Sequence, residues 1–444
     1  MHRAAVEFFT ELSGMVDRSV FLVLTLAMSC AWIGQRRYGP RRLTLPPSPF
    51  QFPLLGCLPF LNSKLPHETF TKWAVKFGKI YSCRMGQKLI VVLNDCDLIR
   101  EALSKSVFNG RPHMYTAQET SKGLGISFAS DDTWPIHRRF ALKTFIALGA
   151  VKGKVEEQIQ DEAQKLVNRI SDLKGQSFSN KNLLQTAVGN VICNVLFGQR
   201  SNEGESNNEN PDMEVSAEFY DKMNAVFRFF GAAGIINIFP FLRWIPAIGK
   251  SYEKVKDALE GAAKIIERVI VNHENCLDSS AVRDYTDAFI QKKNEEKLLY
   301  GSPKHFTDQQ FVGAARELFL TGYDTTTSTL RWAFLYVAKH PEIQAKVQAE
   351  LDNVVGRARL PAYSDLKKMP YTQAAIFESQ RLSSIAPLGL PHRAVDDTEL
   401  CGYHIPKDTW IFTNIWHAHH DANIWEEPHL SAQNGFSQPM ERIS

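Results

Sequence analysis

Phe306-Thr307-Asp308-Gln309-Gln310-Phe311 opens a stretch that runs unbroken to Lys339-His340-Pro341. Thr307 and Gln310 have the Thr-x-x-Gln spacing of a helix capping box. Apolar residues then recur at helical spacing through Phe311, Leu318, Phe319, Leu330, Phe334 and Val337. Lys339 and His340 suit the carboxyl end of a helix, and the ring of Pro341 ends it. The pattern predicts one helix of roughly 30 residues, about 45 Å long, long enough to cross a whole domain. Its middle reads Thr321-Gly322-Tyr323-Asp324-Thr325-Thr326-Thr327-Ser328-Thr329. A glycine and six hydroxyl side chains are poor helix formers, so chemistry rather than helix stability accounts for them.

Around this helix lies a chain of 444 residues, enough for one large domain or two to three ordinary ones. Hydrophobic content of 44% and charged content of 22% are those of a globular protein. A net charge of +3 argues neither for nucleic acid nor for an acidic substrate. The seven cysteines are odd in number, widely spaced and without a Cys-x-x-Cys, a pattern of reduced thiols rather than disulfides or zinc.

Towards the amino terminus, Ser19 to Gln35 carries no formal charge and is rich in Val, Leu, Ala and Phe. Arg36, Arg37, Arg41 and Arg42 follow it directly. This predicts a membrane anchor over residues 1–35, with the rest of the chain on the cytoplasmic side. Residues 36–59 form a connector stiffened by Pro46, Pro47, Pro49 and Pro53. Lys79–Met85 and Lys88–Asn94 read as strands around Gly86-Gln87, and Asp95 as the cap of a short helix to Leu103. Residues 110–140 read as irregular and 151–198 as helical. Ser201–Asp212 reads as a polar surface loop. Phe227–Ile248, apolar and broken by Pro240 and Pro246, reads as core or as an apolar lid at a membrane. Helices are expected from Pro341 to Gly356 and from Tyr371 to Leu382, and a hairpin over Leu400–Phe412.

Taken in order, these pieces resemble one family, the cytochrome P450 haem-thiolate monooxygenases, and within it the animal microsomal branch called family 2. The resemblance rests on the Pro46-Pro47-x-Pro49 connector, Trp134-x-x-x-Arg138, Gly322-x-Asp324-Thr325 and Glu378-x-x-Arg381. It continues through Pro391-His392-Arg393, Gly402-Tyr403-x-Ile405-Pro406 and Trp425-x-x-Pro428. Each motif alone is weak; seven in order are specific. The resemblance implies a mainly α (α+β) fold with a small N-terminal β-sheet behind a transmembrane anchor helix, and a catalytic domain over residues 60–444. It implies haem b as cofactor, with Arg111, Trp134, Arg138 and His392 on the propionates. Asp324 and Thr325 match the acid–alcohol pair that relays protons, and Gly322 the position that leaves room for a diatomic ligand. Glu378 and Arg381 match a buried ion pair, with Arg393 as its third member. Phe128, Glu317 and Thr321 are the expected substrate-pocket residues; Thr321 stands where the family usually has alanine.

The implied partners are a lipophilic small molecule (steroid, fatty acid, terpenoid or foreign compound), O2, an NADPH-cytochrome P450 reductase and membrane lipid, with no nucleic acid. The implied location is the endoplasmic reticulum membrane. The sequence departs from the pattern in one respect. The iron-ligating cysteine loop that follows Trp-x-x-Pro in the family does not occur after Trp425-Glu-Glu-Pro428. The axial metal ligand is therefore expected to be absent and the chain truncated before it, and the competing reading is an inactive family member. Trp416-His417-Ala418-His419-His420-Asp421 is dense in histidine, but its spacing fits no helical metal motif.

Overall fold

The computed structural model describes residues 44–425 and 428, apart from 63, 130–132, 151–153, 199–217, 227–233 and 279. Two compact units emerge. One combines the chain up to Pro112 with Ala386–Asp421; the other runs His113–Ile385 and continues from Ala422. The fold is mainly α-helical with small β-sheets. In chain order the first unit provides α1 (Pro66–Phe77), β1 (Ile80–Met85), β2 (Lys88–Leu93) and α2 (Cys96–Ser104). The second provides α3 (Tyr115–Ser121), α4 (Trp134–Ala150), α5 (Lys154–Asp172), α6 (Asn180–Phe197) and α7 (Pro246–Asn275). It continues with α8 (Tyr285–Tyr300), α9 (Asp308–Lys339), α10 (Pro341–Val354) and α11 (Pro370–Ser383). The chain then re-enters the first unit with β3 (His392–Arg393), β4 (Thr398–Leu400), β5 (Tyr403–Ile405), β6 (Trp410–Thr413) and α12 (Ile415–His419).

In the first unit, β1 and β2 form the expected hairpin, in register from Ile80↔Leu93 to Met85↔Lys88. The run Ile90-Val91-Val92-Leu93 is wholly buried, as an internal strand covered on both faces must be. Its other edge pairs in parallel with β6, and β6 pairs with β3, giving the order β1-β2-β6-β3. The hairpin expected over Leu400–Phe412 is therefore divided. Thr398–Leu400 pairs with Tyr403–Ile405, while Trp410–Thr413 leaves to join the larger sheet. Pro406 and the left-handed Asp408 (φ 65°) separate the two. The Pro-rich stretch lies extended beside β1, where the carbonyls of Pro46 and Pro47 accept hydrogen bonds from Ser82.

The second unit is built around α9, which runs unbroken for 32 residues. Thr307 caps it, its Oγ1 accepting from the Gln310 N–H at 3.2 Å. The reciprocal half of the expected capping box is not made, because the Gln310 side chain bonds Gly125. The amino-terminal half of α9 is core: Phe311, Val312, Ala315 and Phe319 are buried in one cluster with residues of α6, α7 and α8. The reading of 110–140 as irregular is corrected by α3 and by α4, which begins at Trp134. Pro135 falls in the first turn of α4, where a missing N–H costs nothing. Of the apolar stretch Phe227–Ile248, residues 227–233 lie outside the described residues. The rest forms two short 3-10 turns, with Ile236 buried but Phe241 and Trp244 exposed. The polar loop expected at 201–212 also lies outside them.

The expectation of a transmembrane anchor and an endoplasmic reticulum membrane location is corrected. Among the described residues no helix is long and apolar enough to cross a membrane. Ser19–Gln35, on which the expectation rested, lies outside them.

Candidate functional site

The middle of α9 carries a ladder of hydroxyls. Thr321 Oγ1 donates to the Glu317 carbonyl at 2.8 Å, Thr325 Oγ1 to the Thr321 carbonyl at 2.5 Å, and Thr329 Oγ1 to the Thr325 carbonyl at 2.8 Å. Residues four apart share a helix face, so these hydroxyls line one exposed stripe. Each hydroxyl proton is committed backwards along the helix, which leaves the oxygen lone pairs as acceptors. Next to them, Asp324 is half-buried. Burial raises its pKa, opposed in part by Arg331 and Lys181. A carboxyl that keeps its proton to higher pH thus directly precedes in sequence a hydroxyl whose oxygen can accept a hydrogen bond.

Gly322 has another explanation than the recess expected of it. A Cβ there would lie 3.1 Å from Ile192 Cδ1 on α6. The missing side chain lets α6 and α9 approach closely, which fits their extensive contact.

Glu317 uses one carboxylate oxygen to hold backbone. It is buried, and Oε2 accepts from the Ile126 and Ser127 N–H groups at 2.6 Å each. Burial raises its pKa and those N–H groups lower it, with a net rise. One turn or more towards the amino end, Gln310 pairs with both the N–H and the carbonyl of Gly125, at 3.1 and 2.9 Å. Arg316, also buried, donates to the Thr120 and Leu259 carbonyls and to Ser121 Oγ. Three polar side chains of α9 therefore grip the backbone of 120–127 and set the position of half-buried Phe128. Gly125 must be glycine: its φ is +116°, and a Cβ would sit 2.5 Å from the Glu317 carboxylate. The sequence reading missed Arg316 and the second role of Gln310. The available signal was their polarity within an otherwise apolar half-helix, since a buried polar group must find partners.

Trp134 and Arg138 share the first turn of α4, with the exposed guanidinium 5.8 Å from the indole centroid. In the first unit, Arg111 Nη1 donates to the Pro391 carbonyl at 3.1 Å. His392 Nδ1 donates to the Phe108 carbonyl at 2.7 Å. Burial, then the charge of Arg111, lowers the pKa of His392. In its neutral form the ring offers Nε2 as an acceptor, and protonation, which a bound anion would favour, makes Nε2 a donor. In the same unit, Arg393 of β3 pairs with Asp408 at 2.6 Å and donates to the Arg111 carbonyl at 2.9 Å. In α11, Arg381 meets Glu378 through two bonds of 2.7 Å, donates to the Pro428 carbonyl and stacks over Trp425.

A thiolate-bound haem was tested against these residues. The described cysteines do not supply the iron ligand. Cys57, Cys83 and Cys193 are core residues. The Cys83 thiol is held protonated by Cys57 and by burial, and burial pushes Cys193 up to about 12. Cys96 is half-buried and also raised by burial. Cys276 ends α7, and Cys401 occupies a tight left-handed turn. Among the described residues, then, no cysteine is placed as an axial ligand. Among the described residues, one group, His273, Asp284 and Asp287, has metal-donor atoms within 4.8 Å of one another. It is buried and chemically unlike a thiolate site. His417, His419 and His420 form no such group among the described residues.

Comparison with known proteins agrees with the ordered motifs. The family model for Cytochrome P450 matches residues 46–430. Cytochrome P450 2H2 of Gallus gallus is 35% identical over 394 residues, covering 88% of this chain and 78% of its own. Cytochrome P450 2B9 of Mus musculus is 32% identical, covering 93% of this chain and 82% of its own. Cytochrome P450 1A1 of Cavia porcellus is 32% identical, covering 96% and 84%. With a match across most of its length and relatives above 30% identity, this chain belongs to the cytochrome P450 family of haem-thiolate enzymes.

Proposed function

We propose that the protein is a monooxygenase of its family, on the family-2 side of the animal relatives, that inserts one atom of O2 into a lipophilic small molecule. The substrate would lie against the threonine stripe of α9, with Thr321 and Phe128 shaping its pocket. Electrons would come from an NADPH-dependent reductase. In the family, thiolate-bound haem supplies the oxygen activation. This chain's own contribution is the handling of protons and the exclusion of water. The single observation that carries the reading is the consecutive pair Asp324–Thr325 on α9: a half-buried carboxyl with raised pKa, followed by an exposed hydroxyl whose own proton is committed to the Thr321 carbonyl. Such a pair can pass a proton outward from Asp324 to an acceptor at the Thr325 oxygen. Arg111, Trp134, Arg138 and His392 are the proposed propionate partners.

A second reading, ligand binding without turnover, is favoured by the placement of the described cysteines: Cys57, Cys83 and Cys193 are core residues, Cys276 caps α7 and Cys401 sits in a tight turn. One measurement separates the two. The purified protein is reduced and exposed to carbon monoxide. A red-shifted Soret band, with Asp324→Asn slowing NADPH-driven product formation, supports the first reading. No haem uptake, together with retained binding of a lipophilic fluorescent probe, supports the second.

A further inference from the structure

The buried group His273, Asp284 and Asp287 plays no part in the proposed chemistry, yet it joins three helix ends. We propose that His273 is held as an imidazolium, and that the His273–Asp284 pair is a proton-dependent latch between the end of α7 and the start of α8. A neutral imidazole has one N–H and one lone pair. Here both ring nitrogens face oxygen: Nδ1 lies 2.9 Å from the Val269 carbonyl and Nε2 3.0 Å from Asp284 Oδ2. A carbonyl can only accept. Asp284 Oδ1 also caps α8, accepting from the Asp287 N–H at 2.9 Å. With Asp284 ionised, both ring nitrogens carry protons, and the pair is a buried ion pair, with His273 7% and Asp284 1% exposed.

The end of α6 meets the same carboxylate. Gly198 has φ +66°, and a Cβ there would lie 2.7 Å from Asp284 Oδ2. Beside it, Thr286 Oγ1 donates to the Leu196 carbonyl at 2.7 Å. The other charged groups between α7 and α8 are Asp287 and Arg283, which bind each other at 2.7 and 2.8 Å, and Glu274, which Lys293 holds at 2.9 Å while also pairing with Asp308 of α9. Arg283 also approaches Cys276 Sγ at 3.5 Å. The donor atoms are thus already engaged: by a carbonyl, by the ion pair, by a helix cap and by a guanidinium. A cation would have to displace Arg283, so the arrangement is a closed latch rather than a metal site.

The direction of its pH response follows. Burial lowers the His273 pKa, but the bond to Asp284 and its charge outweigh that, and the net shift is upward from 6.5. A raised histidine stabilises the fold fully below its unfolded value, and the contribution disappears as pH climbs through the folded value. Within that window the opening constant of the junction rises up to about tenfold per pH unit.

The test uses full-length protein labelled with 13C-histidine, the His273 resonance being assigned by its loss in His273→Gln. The expected result is an imidazolium signal that persists above pH 6.5. In addition, the melting temperature should fall between pH 6.5 and about 9 more steeply in the wild type than in His273→Gln. A neutral ring at pH 6.5, or parallel melting profiles, overturns the proposal. Should His273→Gln not fold, Asp284→Asn keeps a capping oxygen while removing the charge. The His273 titration then moves to lower pH, and an unmoved titration overturns the latch.

Discussion

Arg381 shows how much a single partner can matter. Its side chain is 5% exposed, and it donates twice to the Glu378 carboxylate. Glu378→Ala removes the carboxylate paired with this interior guanidinium, while the Pro428 carbonyl and the Trp425 face remain. Breaking one side of such a pair costs about 3–5 kcal/mol. The expected outcome is insoluble protein or a melting temperature lowered by many degrees; a normal melt contradicts this account. Glu317 is a second case. Glu317→Ala strands the Ile126 and Ser127 N–H groups, at about 1–3 kcal/mol each if they stay buried. Hydrogen exchange should show these two amides losing protection before the rest of the unit, while Glu317→Gln, which keeps an acceptor, stays close to the wild type. At the facing position, Gly125→Ala must adopt a φ of +116° and push the carboxylate away, so its exchange pattern should resemble that of Glu317→Ala.

Among the elements, α9 carries two different loads. Its first half is core and its middle is chemistry. Phe319 is fully buried and stacks on Tyr220 and Tyr323, with Phe219 edge-on at 4.8 Å. Truncating a core phenylalanine costs about 3–5 kcal/mol. Thr307→Ala removes only the cap, at about 1 kcal/mol. Chemical denaturation should rank the two substitutions in that order without changing the denaturant slope for Thr307→Ala. A larger loss at Thr307 than at Phe319 would mean that the helix end, rather than its packing, holds the element in place.

For the whole molecule, the net charge of +3 leaves little electrostatic repulsion between copies. Leu298, Leu299 and Tyr300 stand 87%, 74% and 65% exposed at the end of α8. Three consecutive exposed apolar residues invite self-association. The double variant Leu298→Glu, Leu299→Lys should lower light scattering on warming. Its stability should stay within about 0.5 kcal/mol, because neither side chain is packed. Unchanged scattering would show that another surface governs association.

The sequence alone determined what depends on local order. Helical spacing, the Thr307 cap and Pro341 delimited α9 nearly to the residue, and the Glu378-x-x-Arg381 spacing placed two charges on one face. The order of seven short motifs pointed to the family that the comparisons then showed. Tertiary structure alone decided where polar and small residues aim. Glu317 emerged as a loop clamp, Gly322 turned from a recess into a contact with Ile192, Gln310 from a cap into a bridge to Gly125, and Arg393 towards Asp408. The reason is physical: periodicity fixes which face a residue occupies, but a buried donor or acceptor takes whichever partner the packed chain brings within about 3 Å. That partner lay roughly 190 residues away for Glu317 and Gln310, beyond the reach of any local pattern.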